Sequence, residues 1–201
     1  MTYDKDIREP LFDFLEERFG KIRIIEEKMM GRSRADVVMV TEQALYGIEI
    51  KSDADTYARL GRQTKDYDRY YDYNVVVAGA SHGMQIEKHV PEYWGIITVE
   101  AVDGVLDFYM LRSPKANPKV SWIRKLEILW RPELSKLQEW NQMPRYQGKS
   151  KAFVIGKLAG RVPDKILPEQ LAGQVSSLLF ERDYHAIAEV IEEYRRGKRR
   201  T

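Results

Sequence analysis

The spacing of apolar positions divides this chain into a sheet-forming first half and a helical second half. From Asp4 to Phe19, the residues Ile7, Leu11, Phe14, Leu15 and Phe19 form one helical stripe, and Gly20 stops it. Pro10 fits poorly inside that pattern, so the helix is expected to begin near Arg8 or to bend at the proline. Lys21 to Met30 reads as a strand, followed by a basic turn at Gly31-Arg32-Ser33-Arg34. Residues 37–40 (VVMV) and 47–50 (GIEI) then read as the arms of a β-hairpin. Asp53 to Tyr73 follows as a helix, with Asp55 or Thr56 as its N-cap. Asn74 to Gly79 is an apolar run suited to a buried strand. A short helix from about Gly83 to His89 is expected before Pro91. Gly95–Val102 and Val105–Arg112 flank Asp103-Gly104, a strong hairpin turn. The order is αβββαβ with an appended hairpin.

Ser113 to Val120, with Pro114 and Pro118, reads as a linker. Beyond it the pattern is helical: Pro132 opens a helix over Glu133–Trp140, and Lys149–Arg161, Pro168–Phe180 and Asp183–Arg196 follow. Two regions result, a core over residues 1–113 and a helical C-terminal region over 121–201 with a basic tail. The second reads better as a helical cap on the apolar side of the core than as a DNA-touching module. Even so, Lys149, Lys151, Lys157, Arg161 and the tail supply positive charge for phosphates. Trp122, Trp130 and Trp140 read as core, and the scattered His82, His89 and His185 as surface or packing residues.

Composition narrows the picture only a little. The 201 residues are enough to bury a sizeable core, and 43% hydrophobic content argues against wholesale disorder. The absence of cysteine excludes disulfides and thiolate metal sites and fits a cytoplasmic protein. No run of about 20 apolar residues occurs, so no membrane span is expected. There is no Gly-rich phosphate loop. A net charge of +2 says little, although the chain closes with Arg195, Arg196, Lys198, Arg199 and Arg200.

The hairpin carries the chemistry. If the reversal falls between Glu42 and Gln43, position 40 lies opposite 45 and Asp36 lies opposite Glu49. Opposed side chains have Cβ atoms about 5 Å apart, so two carboxylates there would repel unless a cation sat between them. Lys51 shares the face of Glu49, while Ile48 and Ile50 point to the other side. Oxygen ligands on Asp36 and Glu49 suit a hard cation such as Mg²⁺ or Mn²⁺, with Lys51 orienting or deprotonating water beside a phosphodiester. A cross-strand salt bridge on a solvated face is the plain alternative, and Glu26-Glu27-Lys28 repeats the Glu-x-Lys spacing. That copy has no acidic partner at the matching offset. Arg59, Gln63 and Tyr67 are four residues apart and form one helical row entering from the Lys51 strand. Gln63 could hydrogen-bond a phosphate or a water of the site, and Arg59 could meet the phosphodiester backbone. Arg34, Arg59 and Tyr67 are the candidate nucleic-acid contacts. As a group, however, Tyr67, Tyr70, Tyr71 and Tyr73 read better as packing against the sheet than as stacking on bases.

The combination resembles the PD-(D/E)XK nuclease superfamily, in particular its small bacterial and phage members, restriction-endonuclease-like or resolvase-like. The resemblance rests on Asp36, then Ile48-Glu49-Ile50-Lys51-Ser52, then Asp55, Thr56, Arg59, Leu60, Gln63 and Tyr67 in a DTxxRLxxQxxxY pattern. It covers about the first 80 residues and extends to Arg112; Ala35 stands where proline often precedes the acid. It implies an α/β restriction-endonuclease-like αβββαβ core with a mixed central sheet. It also implies a metal-dependent endonuclease that hydrolyses DNA in repair, recombination or defence. Asp36 and Glu49, with the Ile50 carbonyl, would hold Mg²⁺ or Mn²⁺; Lys51 and Gln63 would assist; Glu9 on the first helix would add a third acid. A homodimer would let two sites cut two strands. The other class of reading is a DNA-binding or assembly protein that keeps the nuclease fold without catalysis.

Overall fold

The computed structural model describes residues 4–30, 33–51, 57–79 and 85–183. Its organising element is the hairpin of β2 (Ser33–Val40) and β3 (Leu45–Lys51). The ladder pairs Val40 with Leu45 and Val37 with Ile48, the expected register. Thr41 closes the turn: its N–H donates to Ala44 O at 3.1 Å, and its hydroxyl accepts from the Gln43 and Ala44 amides.

Around this hairpin runs a six-stranded sheet in sequence order, completed by β1 (Arg23–Met30), β4 (Tyr73–Gly79), β5 (Gly95–Val102) and β6 (Val105–Arg112). The sheet is mixed: β3–β4 and β4–β5 are parallel and the other pairs antiparallel. The last hairpin has the expected bounds. Its turn needs left-handed backbone at two successive positions, and Asp103 (φ 52°) and Gly104 (φ 81°) adopt it.

Alternation along the central strands feeds two apolar layers. On one face, α1 (Asp4–Phe19) lays Ile7, Leu11 and Leu15 against Val37, Met39, Ile48, Ile50, Val75 and Val77. The helix already runs from Asp4 and contains Pro10, so its start is not delayed to Arg8. On the other face, Val38, Val40, Leu45, Val76 and Ala78 meet α2 (Leu60–Tyr70) and four helices from the second half. These are α3 (Trp122–Glu127), α4 (Arg131–Trp140), α5 (Lys151–Ala159) and α6 (Pro168–Glu181). Leu126, Leu134, Val154, Leu171 and Val175 belong to the same apolar cluster as the sheet, so the helical region caps this face. Polar contacts pin the cap. The Ser176 hydroxyl bonds Thr41 O at 2.5 Å, Arg23 donates to Phe180 O at 2.6 Å, and Arg182 grips Glu133 at 2.7 and 2.5 Å. No described helix is long and apolar enough to cross a membrane.

Three expectations need correction. The helix expected over Asp53–Tyr73 is shorter: a 3-10 turn at Tyr57–Arg59 leads into α2, and Tyr73 begins β4. The chain is extended at Tyr71, and Asp72 accepts from Leu45 N at 2.8 Å and pairs with the buried Lys125. Those bonds would be lost if the helix continued. Trp140 is 44% exposed and not core, while Trp122 and Trp130 are partly buried. Finally, α3 is a separate helix, opened by Ser121, whose hydroxyl accepts from Arg124 N. Of the helix expected over Gly83–His89, Gln85 and Ile86 are helical and 87–89 form a turn. The caps Asp55 and Thr56, the residues His82 and His185, and the helix expected beyond Asp183 lie outside the described residues. His89 is exposed and stacks on Tyr57 at 4.3 Å.

Gly47 is where the hairpin and α2 come closest. A Cβ there would sit 2.6 Å from Tyr67 Cδ1 and collide with the Tyr71 ring as well. Gly47→Ala is expected to destabilise the protein by about 1–3 kcal/mol through overpacking, read as a lower urea midpoint.

Candidate functional site

Strand β3 ends in Glu49-Ile50-Lys51, parallel to β4, and alternation sends the acid and the lysine to the face that α2 covers. Glu49 is 1% exposed and Lys51 7% exposed, so both are embedded. A buried carboxylate must be hydrogen-bonded, and this one is bonded at both oxygens. Oε1 receives Lys51 Nζ at 2.6 Å and also the side-chain amide of Gln63. Oε2 receives the Tyr67 hydroxyl at 2.7 Å.

Tyr67 does more than cover the site. Its oxygen accepts from Asp36 N at 3.2 Å and also lies 3.2 Å from Ile48 O. A phenol has one proton, and the shorter contact to Glu49 takes it. Burial, and after it the neighbouring Glu49 carboxylate, hold the Tyr67 pKa well above its ordinary value, so the hydroxyl stays a donor. The side chain is 0% exposed. That corrects the expectation that Tyr67 touches nucleic acid; the bulk of the ring is needed in the core.

Asp36 is half-buried on β2. Its Oδ2 accepts from Ile50 N at 2.9 Å, a side-chain bond just beyond the last paired residues, Val37 and Ile48. The same contact fixes the peptide plane between Glu49 and Ile50. Asp36, Glu49, Lys51 and Gln63 are therefore gathered at one end of the β2–β3 hairpin, with Tyr67 bonding the Glu49 carboxylate and the Asp36 backbone amide.

The other candidates are placed differently. Glu9 is exposed. It lies two residues, or about 200° of helical rotation, from both Ile7 and Leu11, which face the sheet. Its neighbour Arg8 turns inward and donates to Asp36 O at 3.4 Å and to Glu26 at 2.9 Å. Arg8 was missed from the sequence, although its position beside Ile7 on the rim of the apolar stripe is the signal that could have found it. Arg34 is exposed and paired with Glu27 at 3.0 Å, and Arg59 is exposed on the 3-10 turn. Among the described residues no group of three or more acidic or histidine side chains could hold one ion. Two carboxylates completed by waters are the set a divalent cation would have here. One buried atom favours such a group. Gln63 Oε1 has no hydrogen-bond partner, and because Gln63 turns its amide nitrogen to Glu49, that free oxygen points elsewhere.

The fold and these contacts define a mixed α/β protein with an acid–lysine–glutamine cluster embedded at one end of a six-stranded sheet. A family model, bacteriophage P4 protein cII, matches residues 2–196, and the chain belongs to that family. Comparison with curated proteins and with solved structures found no match.

Tyr67→Phe would leave Glu49 Oε2 and the Asp36 amide each short of a partner. The expected cost is about 1–3 kcal/mol at neutral pH, measured by urea unfolding. The pH dependence has a definite sign. A phenol whose folded pKa is raised contributes stability in full below the unfolded value of 10.0, and loses it as pH rises beyond that. Stability of the wild type should therefore fall above pH 10.0, and fall less steeply in Tyr67→Phe.

Proposed function

We propose that this protein is a metal-dependent endonuclease that hydrolyses DNA phosphodiester bonds on a restriction-endonuclease-like core, acting in repair, recombination or defence. The observation that carries the reading is the meeting of Asp36, Glu49, Lys51 and Gln63 at the end of one hairpin, with the acid and the lysine in direct contact. The succession α1–β1–β2–β3–α2–β4, antiparallel up to β3 and parallel from β3 to β4, supports the core assignment.

Asp36 and Glu49, with the Ile50 carbonyl, would hold Mg²⁺ or Mn²⁺, and the unpartnered Gln63 Oε1 fits an outer contact to it. Such a cation supplies Lewis acidity and offsets phosphate charge. The chain's own groups do the rest. Lys51, held by Glu49, orients the attacking water and stabilises negative charge growing on the phosphate oxygens. Gln63 keeps the Glu49 carboxylate aimed. Asp36, tied to Ile50 N, fixes the backbone at the point where the scissile phosphate would lie. Exposed Arg59 is available for a neighbouring phosphate.

A second reading is favoured by one specific observation. Glu49 is already bonded at both oxygens by Lys51, Gln63 and Tyr67, which is how a purely structural acid would be held. On that reading the protein binds or organises DNA without cutting it.

Cleavage of plasmid, single-stranded and branched DNA with Mg²⁺ or Mn²⁺ tests the proposal. Asp36→Asn, Glu49→Gln and Lys51→Ala should each reduce cleavage by about a hundredfold or more. Retained cleavage in any two of them would sink the assignment. Metal binding separates the two readings: Mn²⁺ should raise the melting temperature of the wild type and leave that of Asp36→Asn unchanged. No metal-dependent shift in the wild type would favour the non-catalytic role.

A further inference from the structure

A second feature lies on the helical cap, away from the acid–lysine cluster. The chain as a whole is nearly balanced, with Lys+Arg 33 against Asp+Glu 31. Yet from Asn141 to Pro163 it contains no Asp or Glu, while Arg145, Lys149, Lys151, Lys157 and Arg161 are all cationic. The structure sorts these five. Lys151 turns in to cap α3, donating to Glu127 O at 2.8 Å, and Arg161 reaches Asn141 O at 3.4 Å. Lys149 and Lys157 stay exposed, as does Arg145, whose nearest acid is Glu139 at 3.9 Å.

Between the two exposed lysines sits an exposed aromatic ring. Val154, Ile155 and Leu158 bury one side of α5. Phe153 and Lys157 lie one turn apart on another side, and Lys149, ahead of the helix and its Ser150 cap, brings its ammonium to the same ring. Phe153 is 38% exposed, and its ring is buttressed edge-on by Tyr146 at 5.3 Å. Lys149 Nζ and Lys157 Nζ lie 5.7 and 5.5 Å from the ring centroid. A large apolar side chain left in water on an amphipathic helix, with two ammoniums over its ring and no acid on the surrounding segment, has the wrong charge for a basic partner. It has more cation than an apolar partner needs.

We infer that Phe153 and Lys157 of α5, with Lys149 just before it, form a docking surface for single-stranded nucleic acid, with an unpaired base on the Phe153 ring and flanking phosphates on the two lysines. Stacking on an exposed ring is open to any unpaired base, because every base has a π-face. The lysine stems are long enough to leave the ring for phosphates once a base covers it. Phe153 and Lys157 stand about 6 Å apart along α5, and Lys149 approaches from the segment before it, so phosphates flanking one stacked base lie near both ammoniums. Duplex DNA offers no free base face, so the ring selects for unpaired strand. The inference deepens the proposed nuclease by naming the form of nucleic acid it holds, yet it stands on this surface alone.

The test is fluorescence anisotropy of the full chain with a labelled oligothymidylate, in EDTA so that cleavage plays no part. The wild type should bind, and Phe153→Leu should weaken binding about tenfold while Phe153→Trp retains it. Lys149→Gln with Lys157→Gln should lower the slope of log affinity against log salt by about 1.4. A duplex of equal length should bind equally well to wild type and Phe153→Leu. Unchanged oligothymidylate binding in Phe153→Leu, in a variant that melts like the wild type, would overturn the inference. So would an unchanged salt slope in the double variant. Because binding is read without metal, loss of the nuclease reading would leave this result standing, and cleavage without Phe153-dependent binding would remove only the docking surface.

Discussion

Everything at the candidate site depends on one buried contact, the Tyr67 hydroxyl on Glu49. The phenol oxygen meets the carboxylate, Ile48 O and Asp36 N, so it joins two strands and the helix above them at a single point. A charge sheltered from water is tolerable only when its lone pairs are filled, and Tyr67 fills the oxygen that Lys51 and Gln63 do not reach. The ring gains its place from Gly47, where the absence of a side chain lets α2 settle onto the hairpin. Sheet, helix and acid are thus a single construction.

The cap extends that dependence across the chain. A mixed sheet with a helix on one face alone would leave Val38, Val40, Leu45 and Val76 in water, and α2 is too short to cover them all. The C-terminal helices complete this layer, and their polar anchors fall on the hairpin turn and on β1. Lys125 illustrates the cost of that closure. It is fully buried, and burial lowers its pKa while Asp72 opposes the shift. Removing either partner would strand a charge in the core. The same Asp72 ends the helical stretch and holds Leu45 N, so the cap and the β2–β3 hairpin share a carboxylate.

Local rules made much of this legible. Apolar alternation and an Asp-Gly turn located β5 and β6, and a reversal centred on 42–43 gave the register from Val40–Leu45 to Val37–Ile48, which ends one residue short of Asp36 and Glu49. Such features are decided by residues close in sequence. Misreadings came where distant residues decide. The end of α2 depends on Asp72 finding Leu45 N and Lys125, and the latter lies 53 positions away. Tyr67 stood in a helical row of candidate contacts and also in a tyrosine group read as packing against the sheet; its burial agrees with the second reading, and the glycine on a neighbouring strand makes room for it. Glu9 was chosen for its charge, whereas its angle on α1 turns it to solvent and brings Arg8 to Asp36. That angle was available from the Ile7–Leu11 stripe and was outweighed by residue type.

The saturation of Glu49 is the point at which the two functional readings part. Three donors take most of the roughly four lone-pair positions of the carboxylate, so a cation enters most easily where a donor gives way. The donors are not equivalent in what they would lose. Tyr67 is wholly buried, fixed by contacts on both sides, and cannot withdraw without opening the core. Gln63 is only half-buried and has a free oxygen that rotation of its amide would present in place of the nitrogen. Lys51 has a flexible stem and the one charge whose attraction a divalent cation would replace. Opening therefore costs least at Lys51 and Gln63, the two residues that the proposed hydrolysis would turn toward a phosphate. The movable donors share Oε1 and the immovable one holds Oε2, an asymmetry that supports the proposed hydrolytic reading over a purely supporting one.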